Sequence, residues 1–196
     1  MANEEGADAN REELIGILRG KSVHTGTFTL ASGATSDFYV DCRLTTLDAR
    51  GARLVGRVGW ELVRKTASEL GLDVASVGGL TMGADPISLA IAMASDEAPG
   101  ESGSIQAFAV RKEPEEQGRG RQVEGNFKEG DAVVVIDDVI TTGGSTIKAI
   151  EAIEREGGKV AFVVVLVDRQ EGGKAAIEEK GHKVFPIFTR AEILEE

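Results

Sequence analysis

Two adjacent acids followed by a run of small polar residues form the segment best suited to chemistry. The segment reads Asp137, Asp138, Val139, Ile140, Thr141, Thr142, Gly143, Gly144, Ser145. Glycines let backbone N–H groups converge on an anion, hydroxyls add donors, and the start of a helix favours negative charge. The turn after the acids therefore predicts a phosphate-binding site.

The two acids narrow the kind of phosphate ligand. A P-loop carries a lysine after its second glycine and a dinucleotide-binding turn carries three spaced glycines, and this segment has neither pattern. Carboxylates beside a phosphate site repel phosphate unless they hold sugar hydroxyls or a metal ion. Asp137 and Asp138 thus indicate a ribose phosphate with its metal. The alternative is a plain strand end followed by a solvated turn and a helix cap.

Apolar runs that alternate with helical segments supply the framework for this turn. Residues 132–136 predict a buried strand that ends just before the acids, and residues 146–156 predict the helix that follows. Further strands are predicted at 74–79, 105–110, 160–167 and 184–188, with helices at 86–94 and 174–179. The pattern predicts an α/β fold with a mainly parallel central sheet flanked by helices, and ligands at the carboxyl ends of the strands.

The first third of the chain is more mixed. Residues 11–19 predict a short amphipathic helix, residues 28–43 a pair of strands around a turn, and residues 48–70 a long helix. Residues 1–10 are polar and acidic, and we expect them to be disordered. Because 196 residues suit one hydrophobic core, residues 11–196 are expected to form a single domain.

Composition and charge exclude several classes of protein. The net charge of −11 disfavours nucleic acid as a partner, and no apolar run is long enough to cross a membrane. The start of the chain lacks the features of a signal peptide, so we expect the protein in the cytoplasm. Cys42 is the single cysteine, which excludes an internal disulfide, and we expect it to pack rather than to react.

The acidic, glycine-rich segment resembles the diphosphate-sugar signature of the type I phosphoribosyltransferases. Five further segments extend the resemblance to orotate phosphoribosyltransferases over nearly the whole chain: Phe-Thr-Leu-Ala-Ser-Gly at 28–33, Ser-Asp-Phe-Tyr at 36–39, Gly-Ala-Asp-Pro at 83–86, Arg-Lys-Glu at 111–113 and Asp-Arg-Gln at 168–170. The resemblance implies the type I phosphoribosyltransferase fold with a small N-terminal hood. It also implies transfer of a phosphoribosyl group from phosphoribosyl diphosphate to orotate, a step of UMP biosynthesis.

The resemblance assigns a role to each candidate residue. Phosphoribosyl diphosphate is expected to contact Arg111, Lys112, Asp137, Asp138, Val139, Ile140, Thr141, Thr142, Gly143, Gly144 and Ser145. Within that set, residues 141–145 would hold the 5-phosphate, the two acids would face the ribose hydroxyls, and Arg111 with Lys112 would contact the diphosphate. Orotate is expected to contact Thr141, Arg169 and Tyr39, with the guanidinium on its carboxylate. The residues with an expected catalytic role are Asp137, Asp138 and Lys112.

The family's cofactor and assembly follow from the same resemblance. Mg²⁺ is expected to bridge oxygens of the diphosphate and the ribose, so no residue of the chain is assigned as a metal ligand. Two copies are expected to form a homodimer in which residues 111–124 of one chain reach the neighbouring site.

The chain departs from the family pattern within that same stretch. Glu115 and Gln117 stand where related enzymes commonly have a lysine and a histidine that interact with the leaving diphosphate. Arg119 and Arg121 follow closely and could replace the missing charge. These changes leave open a regulatory protein that binds phosphoribosyl diphosphate with weak turnover. The other alternative is a purine phosphoribosyltransferase, which would share residues 137–145 but would not need Arg169 for a carboxylate.

Overall fold

The computed structural model describes residues 2–29, 35–98, 103–114 and 120–195, and its helices and strands alternate as predicted. In chain order they are α1 Ala2–Lys21, β1 Val23–Thr29, β2 Thr35–Val40, α2 Arg43–Thr46, α3 Ala49–Leu70, β3 Ser76–Leu80, α4 Ala84–Glu97, β4 Gln106–Val110, β5 Val123–Gly125, β6 Ala132–Ile140, α5 Gly144–Arg155, β7 Lys159–Asp168, α6 Gly173–Glu178, β8 Val184–Thr189 and α7 Arg190–Leu194. Every strand and helix predicted after residue 70 is confirmed, with bounds that move by a few residues. Three short elements, α2, β5 and α7, were not predicted.

A six-stranded sheet forms the centre of the described part of the chain. Its strand order is β5-β4-β3-β6-β7-β8, and every neighbouring pair is parallel except β4 with β5. The predicted mainly parallel sheet is therefore confirmed. Since parallel strands point the same way, β3, β4, β6, β7 and β8 all end at one edge, which we call the carboxyl edge.

Strand β6 shows why its sequence is apolar without interruption. Val134 and Ile136 point into the cluster formed with α3 and α4, whereas Val133 and Val135 point into the cluster formed with α5. Successive side chains of a strand lie on opposite faces, so a strand covered on both sides needs an apolar residue at each position. The sheet is thus the middle layer between two layers of helices.

Helix α3 matches its predicted bounds and has clear signals at both ends. The Asp48 side chain accepts hydrogen bonds from the N–H groups of Arg50 and Gly51, and Gly71 ends the helix in a left-handed conformation at φ 63°. Trp60, on this helix, is buried and donates from Nε1 to the Ala98 carbonyl at 2.8 Å. It shares a cavity with the residues just before β3 and β4, so it lies at the amino ends of the strands.

Helix α1 corrects two predictions for the N-terminus. It begins at Ala2 rather than at residue 11, so residues 2–10 are helical and not disordered. Alanine and glutamate, which occur in this segment, have high intrinsic helix propensity. Side chains later in the helix hold the other end of the chain: Arg11 Nη2 donates to the Ile187 carbonyl at 3.0 Å, and Arg19 Nε donates to the Ile193 carbonyl at 2.9 Å.

Strands β1 and β2 form the small antiparallel sheet expected as the N-terminal hood. The pairing runs from Val23 opposite Val40 to Thr29 opposite Thr35, so the predicted strand pair is confirmed, although it begins earlier than residue 28. The turn predicted around Ser32 and Gly33 lies outside the described residues. Among the helices that the structure describes, none combines the length and the hydropathy needed to cross a membrane.

Candidate active site

The acids of the predicted site belong to strand β6 rather than following it. The strand continues four residues beyond its predicted end at 136, because β7 extends alongside it and pairs Val165 with Asp137 and Asp168 with Ile140. Strand geometry then places Asp137 and Asp138 on opposite faces of the sheet. Asp137 points toward α5, as Val135 does, and Asp138 points toward α4, as Ile136 does.

Asp137 is buried and is bonded to the start of α5. Its Oδ2 accepts hydrogen bonds from Ser145 Oγ at 2.9 Å and Thr146 Oγ1 at 2.5 Å, and its Oδ1 accepts one from the backbone N–H of Asp138 at 3.0 Å. Only 5% of the residue is exposed. Burial raises the pKa of this carboxyl to about 6, although the two hydroxyl donors oppose the shift. Through these hydrogen bonds Asp137 fixes the end of β6 to the start of α5.

Asp138 is the more accessible of the two acids. It is partly exposed, and its Oδ1 accepts the backbone N–H of Val139 at 3.0 Å. A Cβ atom at Gly83 would lie 2.5 Å from that same oxygen, so glycine at the start of α4 leaves room for the carboxylate. Burial raises the pKa of Asp138, and the charge of Arg43 partly offsets that rise.

The turn between β6 and α5 presents the start of a helix to open space. Gly143 adopts φ 81° immediately before α5, and no described side chain caps the first turn of that helix. A Cβ atom at Gly144 would have only Thr142 Oγ1 within 4 Å, at 3.9 Å. Uncapped N–H groups at a helix start bind anions, so the geometry matches the predicted phosphate site.

The segment after β7, residues 169–173, is hydrogen-bonded to this turn through its backbone. Gly173 donates its N–H to the Thr141 carbonyl at 3.0 Å, and a Cβ atom at Gly173 would lie 2.6 Å from that oxygen. Arg169 donates its N–H to the Ile140 carbonyl at 3.0 Å. Two backbone hydrogen bonds thus fix residues 169–173 against the phosphate turn, a contact that needs glycine at position 173.

Arg169 connects the sheet edge to the hood. The side chain is buried, Nη2 donates to the Phe38 carbonyl at 3.2 Å, and the same nitrogen lies 2.7 Å from Glu171 Oε1. Tyr39 follows Phe38 on β2, is 39% exposed, and packs on the Phe28 ring at a centroid distance of 5.6 Å. The structure therefore brings the residues expected to contact orotate to the same edge as the phosphate turn.

Arg111 and Lys112 follow β4 and are exposed at the carboxyl edge, two strands from the acids. Arg111 Nε lies 2.9 Å from Glu124 Oε1, so an acid of β5 pairs with this guanidinium. Arg121 is also exposed. The positions of Glu115, Gln117 and Arg119, which carry the departures from the family pattern, lie outside the described residues.

The sequence alone indicates no role for three residues that the structure places near the site. Gly83 lies within one of the segments that carry the family resemblance, but only the structure shows that it lies close to the Asp138 carboxylate. Gly173 had no signal beyond the pair of glycines after Glu171. Arg43 had none, because nothing in the sequence relates it to an acid about a hundred residues away. Cys42 is buried as expected, with Sγ 3.7 Å from the Asp138 carbonyl.

Comparisons with known proteins agree with this geometry. The phosphoribosyl transferase domain family matches residues 59–187. The orotate phosphoribosyltransferase of Rhodopirellula baltica is 42% identical over 183 residues, covering 92% of this chain and 93% of that protein, and that of Aquifex aeolicus is 39% identical, covering 94% and 97%. The crystal structure of Mycobacterium tuberculosis orotate phosphoribosyltransferase in complex with 5-phospho-alpha-D-ribosyl 1-diphosphate aligns with a TM-score of 0.74 at 36% identity, covering 94% of this chain and 98% of the other. The chain therefore belongs to the phosphoribosyltransferase family, among its orotate phosphoribosyltransferases.

Proposed function

We propose that this protein transfers the 5-phosphoribosyl group from phosphoribosyl diphosphate to orotate, giving orotidine 5′-phosphate and diphosphate. The observation that carries the proposal is the arrangement at the end of β6. An accessible acid, Asp138, lies beside an uncapped, glycine-rich helix start, and the buried Arg169 follows the neighbouring strand. This arrangement suits a ribose phosphate together with an anionic base. The named relatives support the same activity.

The residues around β6 take distinct parts in this proposal. The 5-phosphate binds the N–H groups of residues 141–145 and the hydroxyls of Thr141 and Thr142, while Asp138 accepts hydrogen bonds from the ribose hydroxyls. Displacement of diphosphate develops positive charge on the sugar, and a nearby carboxylate stabilises that charge. Asp137 acts on the turn through Ser145 and Thr146. Lys112 and Arg111 offset the charge of the departing diphosphate.

Orotate is the base that fits Arg169. A buried guanidinium binds a planar carboxylate through two parallel hydrogen bonds, and orotate carries such a carboxylate, whereas adenine and hypoxanthine do not. Thr141 and Tyr39 complete the proposed base site at the same edge of the sheet. The purine alternative therefore has no comparable support among the described residues.

A Mg²⁺ ion is proposed to bind together with phosphoribosyl diphosphate. No group of three or more His, Cys, Asp and Glu side chains in the described ranges could hold a metal ion, and the Asp137 oxygens already accept three hydrogen bonds. A Mg²⁺ ion would be brought to the site by the substrate, with Asp137 engaged in the turn and Asp138 the acid that remains accessible. When bound, the ion neutralises charge on the leaving group.

The direct test is an assay for diphosphate release by the purified protein with phosphoribosyl diphosphate, Mg²⁺ and one base at a time. We expect turnover with orotate, and at least about a hundredfold lower kcat/KM with adenine or hypoxanthine, because neither base can pair with Arg169. Binding of the diphosphate sugar without product would contradict the proposal and favour the regulatory alternative. Recovery of turnover in the Glu115→Lys, Gln117→His variant would then identify the altered stretch as the cause.

A homodimer is the proposed assembly. On helix α4, Leu89 is 57% exposed and Met93, one helical turn later, is 60% exposed. Met82, just before the helix, is 67% exposed. Large exposed apolar side chains grouped in this way are typical of association surfaces. We expect light scattering to give twice the mass of the chain, and Leu89→Lys with Met93→Lys to give a monomer. A wild-type monomer at micromolar concentration would contradict the assembly.

A further inference from the structure

The side chain of Gln122 is hydrogen-bonded to the main chain at the start of the polar stretch that begins at Arg111. The Arg111 N–H donates to the Gln122 carbonyl at 2.8 Å, which continues the antiparallel pairing of β4 with β5. In the opposite direction, Gln122 Nε2 donates to the Arg111 carbonyl at 2.9 Å and to the Lys112 carbonyl at 3.4 Å. The main chain of both cationic residues is thus held by one side-chain amide.

Two residues at the end of α5 hold Gln122 in turn. Arg155 Nη1 donates to Gln122 Oε1 at 2.9 Å. Glu156 Oε1 accepts the N–H groups of Gln122 at 2.6 Å and of Val123 at 3.0 Å. A glutamine amide has one acceptor oxygen and two donor hydrogens, and here both the oxygen and the nitrogen are engaged. We call Gln122, Arg155 and Glu156 the stem clamp.

The stem clamp attaches the start of the polar stretch to the end of helix α5. Helix α5 starts with Gly144 of the phosphate turn and ends with Arg155 of the clamp. The main chain that carries Arg111 and Lys112 is therefore attached to the same rigid helix as the phosphate turn. The Lys112 side chain is exposed and the Arg111 guanidinium pairs with Glu124 of β5, and both side chains start from the backbone that the clamp fixes.

We infer that Gln122 is a positioning residue for phosphoribosyl diphosphate, acting through Arg111 and Lys112. The inference rests on the proposed function, which assigns these two cations to the diphosphate. By fixing their carbonyls, Gln122 orders the backbone from which both cations reach the diphosphate, which in the proposed homodimer lies in the neighbouring site. Without the clamp, binding of the diphosphate has to order this backbone as well, and affinity falls.

The test compares Gln122→Glu with a matched control. Glutamate keeps the size of the side chain and its contact with Arg155, but it loses the donors and places a carboxylate against the carbonyls of Arg111 and Lys112. With Mg²⁺ present, we expect calorimetry to show an approximately tenfold higher Kd for phosphoribosyl diphosphate. The KM for orotate should stay within about twofold. The control Gln106→Glu makes the same change at the other end of β4, where the amide contacts Asn126, and should bind as the wild type does.

A double-mutant cycle separates positioning from a general structural effect. In an Arg111→Ala, Lys112→Ala background, adding Gln122→Glu should change the Kd by less than about twofold, because the residues through which it acts are gone. Full additivity, or an unchanged Kd in the single variant, would overturn the inference. If the wild type binds phosphoribosyl diphosphate but does not turn over orotate, the proposed function is contradicted, and the Kd values of the wild type and Gln122→Glu still test the clamp. If the wild type does not bind phosphoribosyl diphosphate, both the proposed function and the inference are overturned.

Discussion

Replacing Asp138 by asparagine is expected to lower kcat/KM for orotate and phosphoribosyl diphosphate by about 10²–10³-fold. Asparagine has nearly the same shape and its oxygen can still accept the Val139 N–H, so the change removes mainly the negative charge. That charge has its largest effect when the sugar becomes positive in the transition state. The measurement is steady-state release of diphosphate at pH 7.

The same substitution is expected to leave the ligand-free protein as stable as the wild type, or more stable. Burial raises the pKa of Asp138 above its ordinary value of 3.8, so ionisation at neutral pH costs folding free energy that asparagine avoids. The cost is fully present above the raised pKa and disappears as the pH falls below the ordinary value of 3.8, where the carboxyl is protonated in both states. Urea unfolding of both proteins between about pH 3 and pH 7 should therefore show a stability advantage of the variant that is lost at the low end of the range.

Asp131→Asn provides the matched control for that experiment. Asp131 directly precedes β6 at the opposite edge of the sheet, where its Oδ2 accepts the Lys128 N–H at 2.9 Å, a bond that asparagine can keep. Its kcat/KM should equal that of the wild type. If Asp138→Asn also kept full activity, Asp138 would have no part in the chemistry. If the variant lost stability at pH 7, the carboxylate would instead be holding the fold.

Replacing Arg169 by lysine is expected to raise the KM for orotate by about 10²-fold while changing the Kd for phosphoribosyl diphosphate by less than about threefold. Lysine keeps the positive charge but cannot present two parallel N–H groups to a carboxylate. The phosphate turn is held by the Arg169 backbone N–H, which the substitution leaves in place. Initial rates at varied orotate and calorimetry with the diphosphate sugar measure the two effects separately.

Glu171→Gln tests whether Arg169 acts on the substrate or only on the fold. In the structure Glu171 Oε1 lies 2.7 Å from Arg169 Nη2, so it occupies part of the guanidinium that orotate would use. Removing this carboxylate should keep the KM for orotate the same or lower it, because one competitor for Arg169 is lost. Equal losses of orotate and sugar binding in Arg169→Lys, together with a lower unfolding midpoint, would show that Arg169 mainly fixes Phe38 to the sheet.

The sequence predicts most of this fold because the decisive signals are local. The apolar runs of β6 and β7 and the acidic, glycine-rich turn each lie within about ten consecutive residues. The end of β6 was misplaced because residues 137–140 are in a strand only through their pairing with β7. Strand β5 was missed because three residues in a polar stretch carry no periodic signal.

The sequence also cannot show that Asp137 and Asp138 have different roles. Alternation along a strand predicts that Asp137 and Asp138 face opposite ways, but only the packing of α5 and α4 shows which acid is buried. Long-range contacts had no local signal either. The closeness of Arg43 to Asp138, and that of Arg169 to Phe38, depend on how the hood lies on the sheet.

Trp60 gives the protein an internal optical reporter. It is the one tryptophan of the chain, it is buried, and its indole is fixed to Ala98 at the amino ends of the strands. Substrates are expected at the opposite edge, so its emission should follow unfolding of the core without direct quenching by ligand. The same signal, recorded with and without substrate, then converts a shift in unfolding midpoint into an affinity for every variant, with no label attached.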